Sequence, residues 1–201
     1  MRLLVLTQKV DKNDSILGFF HRWIEEFSKH CENVIVICLE KGDYDLPKNV
    51  QVLSLGKEGG MSRLKYVWNF YKYIWQERHN YDRVFVHMNP IYIVIAGWWW
   101  RLTGKKVALW YTHRQIDLKL RIAEKFAQVI FTASRTSFRL ISAKVKIVGH
   151  GIDVETYRCS NRSPAKPEKI ILHVGRITRI KNCDTLISAG QWLITQNPNQ
   201  L

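Results

Sequence analysis

Residues 84–111 read VFVHMNPIYIVIAGWWWRLTGKKVALWY, and they contain a complete strand–helix–strand unit. Val84 to Met88 is an apolar run of strand length. Asn89-Pro90 ends it and opens a helix, because proline is tolerated at the first helical positions and nowhere later. Apolar residues then continue over 91–102. Gly104 supplies the residue that most often terminates a helix, by adopting a left-handed conformation. Residues 107–111 form a second apolar run. Two strands joined by a helical crossover lie parallel, and continuous Val, Ile and Leu runs are those of strands buried on both faces.

The same alternation extends outward from this unit in both directions. Upstream, residues 3–7, 34–39 and 50–55 read as strands; downstream, 129–132 and 144–148 do. Between the first two strands, Ile16, Phe20, Trp23, Ile24 and Phe27 recur at helical spacing, with Asp14 or Ser15 as the cap. Gly59-Gly60 and Ser62 open another helix, in which Leu64, Val67, Trp68, Tyr71, Ile74 and Trp75 share one face. A further helix spans 117–127. Residues 1–154 are therefore expected to form an α/β domain, a doubly wound Rossmann-like parallel sheet. Residues 155–168 are polar, carry Pro164 and Pro167, and read as a linker. Over 169–201 a strand (169–174), a loop (175–182) and a helix (184 to about 195) form one β-α unit. One strand and one helix cannot enclose a core. The expectation is a second, incomplete Rossmann-like domain.

Composition narrows the partners. The chain has 201 residues, 46% of them hydrophobic, and a formal net charge of +14; it is globular and strongly basic. Nucleic acid, an anionic membrane surface or a phosphorylated small molecule would each answer that charge. No helix-turn-helix, zinc-finger or RNP-type signature is present, so nucleic acid is not expected. Cys31, Cys38, Cys159 and Cys183 form no CxxC pair and have no histidine at metal-ligand spacing, so neither a metal site nor a disulfide framework is expected. The first residues lack the layout of a signal peptide. The most apolar segment, 84–100, is interrupted by His87, Asn89 and Pro90. These features point to the cytoplasm, with contact to the inner face of the membrane as a further option.

In an open parallel sheet, ligands bind beyond the carboxyl ends of the strands. Five such ends carry polar residues here: Thr7-Gln8-Lys9, His87-Met88-Asn89, Thr112-His113-Arg114, Thr132-Ala133-Ser134 and Gly149-His150-Gly151. His113 directly follows the 107–111 strand and stands at the rim, either bonded to a neighbouring loop or facing a sugar hydroxyl. His87 carries the same two readings. In the second unit, Gly175-Arg176 follows a strand and Lys181 precedes a helix. A helix N-terminus with two such cations suits a diphosphate.

These motifs, taken in order, resemble family 4 glycosyltransferases of the GT-B fold. Residues 175–182 are similar to the Gly-Arg-x5-Lys-Asn loop that opens their second domain. Val148-Gly149-His150-Gly151-Ile152-Asp153 is similar to the Asn-Gly-Val-Asp turn before their linker. Phe131-Thr132-Ala133-Ser134 and Tyr111-Thr112-His113 resemble two of their strand ends. The resemblance covers the whole chain. It implies an acceptor-binding first domain, a second domain holding a nucleotide-diphosphate sugar, and hexosyl transfer with retention and without metal or other cofactor. It also implies roles: Arg176 and Lys181 on the donor diphosphate, His113 as the catalytic group at the transferred sugar, and Gly18, His87, Asn89 and Gly151 lining the cleft. The acceptor would be a sugar or a lipid-linked sugar. Two departures stand out. The first loop, residues 8–17, has no Gly-Gly pair, and the family's Glu-x7-Glu segment would fall beyond Leu201. The 201-residue chain alone is accordingly expected to be inactive.

Two readings compete with this one. A nicotinamide-dependent dehydrogenase needs G-x-G-x-x-G after the first strand, and residues 7–18 contain none. A non-catalytic basic module that binds a membrane surface or the acceptor fits better. Residues 63–78 combine Tyr66, Trp68, Phe70, Tyr71, Tyr73 and Trp75 with Arg63, Lys65, Lys72 and Arg78, and Trp98-Trp99-Trp100 adjoin Arg101, Lys105 and Lys106. Such surface either fills the core or faces a membrane interface.

Overall fold

A computed structural model describes residues 1–152, 154, 172–175 and 177–196. The expected linker at 155–168, positions 169–171 of the expected strand, and Arg176 lie outside the described residues. The chain divides into two compact units, Met1–Gly151 and Ile152–Leu201.

The first unit is built on seven parallel strands: β1 (Arg2–Val10), β2 (Asn33–Lys41), β3 (Val50–Ser54), β4 (Arg83–His87), β5 (Lys106–Trp110), β6 (Val129–Thr132) and β7 (Val145–Ile147). Their order across the sheet is β3-β2-β1-β4-β5-β6-β7. The chain runs outward from β1 to β3, then returns to place β4 on the other side of β1. The topological switch therefore falls between β1 and β4, where Leu6 pairs with Val86. This is the doubly wound sheet expected from the sequence.

Strand alternation divides the core in two. Leu4, Leu6, Ile35, Ile37, Val84, Val86, Val107, Leu109 and Ile130 face α2 (Arg63–Gln76), α3 (Ile91–Leu102) and α4 (Leu118–Phe126). Leu3, Val5, Val34, Val36 and Cys38 face α1 (Gly18–His30), which contributes Phe20 and Ile24. Helix ends follow local chemistry. The Ser62 side chain accepts the Lys65 N–H, and the Asp117 side chain accepts the Leu120 N–H at 2.8 Å. Neither Asp14 nor Ser15 caps α1, whose N-cap is Leu17 without a side-chain bond; Asp14 instead accepts the N–H groups of Ile16 and Leu17 in the turn before the helix. Gly104 closes α3 with φ +70°.

One helix turns differently from the sequence reading. The face of α2 expected to be buried is largely exposed: Leu64, Trp68 and Trp75 are 84%, 72% and 55% accessible. Ile74 of that face is buried, and it makes the core contact together with Phe70 from outside the face, with Tyr66 and Tyr73 packed beside them. The helix is aromatic on both sides. The side that wins is the one meeting Tyr92 and Trp100 of α3, with Phe70 ring-to-ring distances of 5.5 and 6.4 Å. Trp100 also donates its indole N–H to the Tyr81 hydroxyl at 3.2 Å, which in turn bonds the Ile74 carbonyl.

In the second unit, a single turn of 3-10 helix at Arg179–Lys181 leads into α5 (Cys183–Gln196). Leu172, His173 and Val174 belong to no strand, contrary to the expected strand at 169–174. A parallel strand needs a neighbour for its ladder groups, and the described residues of this unit hold none. No described residue of α5 is buried.

Candidate functional site at the carboxyl edge of the sheet

The switch point brings Thr7, at the end region of β1, beside His87, the last residue of β4. Thr7 Oγ1 lies 3.2 Å from His87 Nδ1, and both side chains are buried. The imidazole stacks on Phe20, with centroids 4.0 Å apart and planes at 17°, and is flanked by Phe19 and Trp23, each 6.1 Å away. Burial pushes the His87 pKa down to about 4, so the ring is neutral near pH 7. At 1% exposure it lies beneath the carboxyl edge and not at its surface.

Aromatic rings continue across the edge from that imidazole. Trp110 ends β5 in register with His87. Its ring lies edge-on to Trp23 at 5.0 Å and to the exposed His150 at 6.0 Å. Met88 follows β4 with φ +63°, a left-handed conformation that costs a side chain energy. It is held there by its N–H, which donates to the Trp110 carbonyl at 2.8 Å, and by the Thr112 hydroxyl, 3.3 Å from its sulfur. Asn89, half-buried, accepts the Ile91 N–H through Oδ1 at 3.3 Å, and so organises the start of α3.

His113 is exposed on the loop after β5. Tyr111, itself buried, fixes that loop: its hydroxyl donates to the Gln115 carbonyl at 3.1 Å and its ring stands 5.7 Å from the His113 ring. Gly149 takes φ +73°, which delivers His150 and the exposed Gly151 to the same edge. A Cβ added at Gly151 would meet nothing within 4 Å.

The loop after β1 is bound to itself. Lys9 Nζ lies 2.9 Å from Asp14, 3.1 Å from Glu40 and 3.2 Å from Asp11. These carboxylates, Asp14 first, hold the Lys9 pKa above its ordinary value. The N–H of Leu17, followed by Lys9, holds Asp14 down at about 2. Gly18 sits where the loop folds back: its N–H donates to the Asp14 carbonyl at 2.9 Å, and a Cβ there would stand 3.1 Å from the Lys12 carbonyl oxygen. That amide is consumed within the loop and is not presented outward to an anion.

The structure thus gathers His87, Asn89, His113 and Gly151 at one edge of the sheet in the first unit, with Gly18 at the start of α1. Lys181 lies in the second unit, exposed and immediately before Asn182 (φ +51°) and the first turn of α5. Its expected companion Arg176 is outside the described residues. Thr7, Met88 and His150, named among the polar strand ends, complete the edge with Trp23 and Trp110, which the sequence reading missed. Trp110 reads as an ordinary strand residue, and only its register with His87 reveals it. Among the described residues, no three His, Cys, Asp or Glu side chains are grouped to hold a metal ion.

No protein-family model matches the sequence, and no curated protein matches it. Solved structures do. HepE from Anabaena, in complex with UDP, aligns over 80% of this chain and 47% of its own length, with a TM-score of 0.54 and 16% identity. The same protein in complex with UDP-glucose aligns equally well at 13% identity. MurG from Acinetobacter baumannii aligns over 81% of this chain and 50% of its own, at a TM-score of 0.49 and 10% identity. The chain thus spans about half the length of these proteins. The HepE likeness establishes the fold: a Rossmann-like parallel sheet of the kind found in GT-B proteins.

Proposed function

We propose that this chain forms the acceptor side of a glycosyltransferase that moves a hexosyl group from a nucleotide-diphosphate sugar to a sugar or lipid-linked acceptor, with retention of configuration. The observation that carries the reading is the row of rings at the carboxyl edge beside the switch point, with Trp110 edge-on to Trp23 and to His150, in a sheet that matches a protein crystallised with UDP-glucose. Aromatic walls with a few polar groups are what sugar rings require, since each pyranose has an apolar face and a hydroxyl rim. His113 is the exposed imidazole on a loop that Tyr111 fixes, and it contacts the transferred sugar or the acceptor. His87, neutral and buried, lies beneath the edge and moves no proton. Asn89 and Gly151 bound the cleft, and Gly18 shapes the loop beside it. Lys181, with Arg176, neutralises charge on the departing diphosphate, an electrostatic role that needs neither a cofactor nor a metal. The reaction belongs to the cytoplasm.

Saturation-transfer NMR on the 201-residue chain tests this reading, with UDP-glucose and short oligosaccharides as probes. Saturation reaching sugar protons, and lost in His113→Ala without loss of fold, is the expected result. Absence of saturation on every sugar at millimolar concentration would overturn it. The alternative, a non-catalytic basic binding module, draws on a different surface of the first unit.

A further inference from the structure

On α2, Leu64, Trp68, Tyr71 and Trp75 recur at i, i+4, i+7 and i+11 and form one outward stripe. Lys65 and Lys72 run beside it as a parallel row. On α3, Trp98 and Leu102 face outward one turn apart, at 49% and 77% exposure. The two stripes meet in a groove of about 500 Å³ lined by Trp68, Tyr71, Trp75, Trp98, Trp99 and Lys72. Its walls are fixed. The Tyr71 hydroxyl and the Trp98 indole N–H both donate to the Ile95 carbonyl, at 2.8 and 3.0 Å. The Trp75 and Trp99 rings lie 5.3 Å apart, and the Arg78 guanidinium covers Trp75 at 4.6 Å. A contiguous exposed aromatic surface of this kind marks an interaction site.

Charge identifies the occupant. Lys72 lines the groove, Arg78 covers Trp75, and Arg63, Lys65, Arg101 and Lys106 lie on α2, on α3 or just after it; none of the six makes an ion pair among the described residues. Residues 91–106 contain no acidic side chain, and 63–78 contain only Glu77. Interfacial Trp and Tyr beside unpaired cations of one sign match the layering of an anionic bilayer, with acyl chains below and phosphate above. A protein partner would need a large acidic surface with an apolar centre; a bilayer supplies both at any point.

We infer that the α2–α3 face is a membrane seat, in which the tryptophan groove takes lipid acyl chain and the lysine and arginine rim binds anionic headgroups. The groove opens on the helical layer. The last turns of α2 and α3 approach the amino edge of the sheet, where Lys105 Nζ donates to the carbonyls of Arg78 and Tyr81. The crevice lies at the carboxyl edge. The seat therefore anchors the protein and leaves the crevice open. It stands independently of sugar transfer: a chain that binds vesicles and no sugar keeps this inference and loses only the other.

The experiment is vesicle partitioning of the full 201-residue chain, read by co-sedimentation and by quenching of tryptophan emission with brominated lipid. Binding is expected to vesicles of phosphatidylcholine with phosphatidylglycerol, much weaker binding to phosphatidylcholine alone, and quenching in the first case. Trp68→Ser with Trp75→Ser should lower partitioning on the order of tenfold, with circular dichroism unchanged because both positions are exposed. Lys65→Glu with Lys72→Glu should do the same, while Lys48→Glu, on a loop away from this face, should lose far less. Absence of binding at low salt overturns the inference, as does equal loss from Lys48→Glu and the lysine pair, or binding without quenching. Concentration-dependent dimerisation abolished by the tryptophan substitutions would also overturn it, in favour of a second copy of the chain.

Discussion

His87 shows how a single side chain is set by its surroundings. Stacked on Phe20 and bonded to Thr7, it exchanges hydration for ring contact and stays neutral down to about pH 4. Its unfolded value is near 6.5, so between the two values the unfolded chain binds a proton that the folded chain refuses. Stability is therefore lost as pH falls from about 6.5 to about 4, by about 3 kcal/mol, and is level above that window. Urea denaturation at about pH 7 and about pH 4.5 measures the drop, and His87→Gln should flatten it; an equal drop in that variant would assign it to other groups. Met88 makes a second case. A β-branched residue tolerates φ +63° poorly, so Met88→Val should cost about 1–2 kcal/mol where Met88→Gly costs less. The Met88 conformation has no sequence signature, since nothing in Met-Asn-Pro announces a left-handed residue. The Thr7–His87 pair was equally illegible, because it depends on register between strands far apart in sequence. The placement of His113, Asn89 and Gly151 at the carboxyl edge was legible because each lies within three residues of an apolar run, and strand ends are where an open sheet exposes its loops.

At the scale of elements, α2 separates what periodicity tells from what packing decides. Both of its sides are aromatic, so spacing alone admitted two orientations, and contact with Tyr92 and Trp100 chose the side of Phe70. Phe70→Ala should cost about 3–5 kcal/mol, whereas Trp68→Ser should stay within about 0.5 kcal/mol, as read by chemical denaturation. Reversal of that order would mean the helix is turned the other way. The other elements were readable because every strand buried on both faces must be an apolar run, and α3 had a closing glycine and α4 a cap. Close packing of α3 on α4 was not readable. A Cβ at Gly97 would stand 2.7 Å from Cγ of Phe126, so these helices approach as near as a glycine allows. Gly97→Ala should destabilise by about 1–3 kcal/mol, and Phe126→Leu in the same chain should recover part of it, a coupling that a double-mutant cycle detects.

For the whole molecule, the sheet order places one crevice at the β1–β4 switch and one aromatic, basic face on the opposite side of the architecture's logic: the first at the strand ends, the second on the helix layer. The fold was legible as a doubly wound parallel sheet because alternating strands and helices leave few topologies, whereas the strand order came from the structure. The second unit was legible only as a helix preceded by a basic loop. Its described residues bury no side chain of α5, while the first unit holds both core clusters. A chain ending at Gly151 should therefore unfold cooperatively, with a denaturation midpoint equal to that of the 201-residue protein. A large loss of midpoint would show that the second unit contributes to the core of the first.

The central pairing of the sheet carries a kinetic consequence. Thr7 and His87 are separated by 80 positions, whereas β1, β2 and β3 follow one another closely along the chain. During synthesis, the three-stranded half emerges first, and the flank of β1 that will meet β4 stays bare until residue 87 has left the ribosome. Closing so long a loop is slow, and an unpaired strand edge is open to neighbouring chains in the meantime. The Thr7–His87 contact exists only once that closure is made, so the candidate site and the end of folding arrive together.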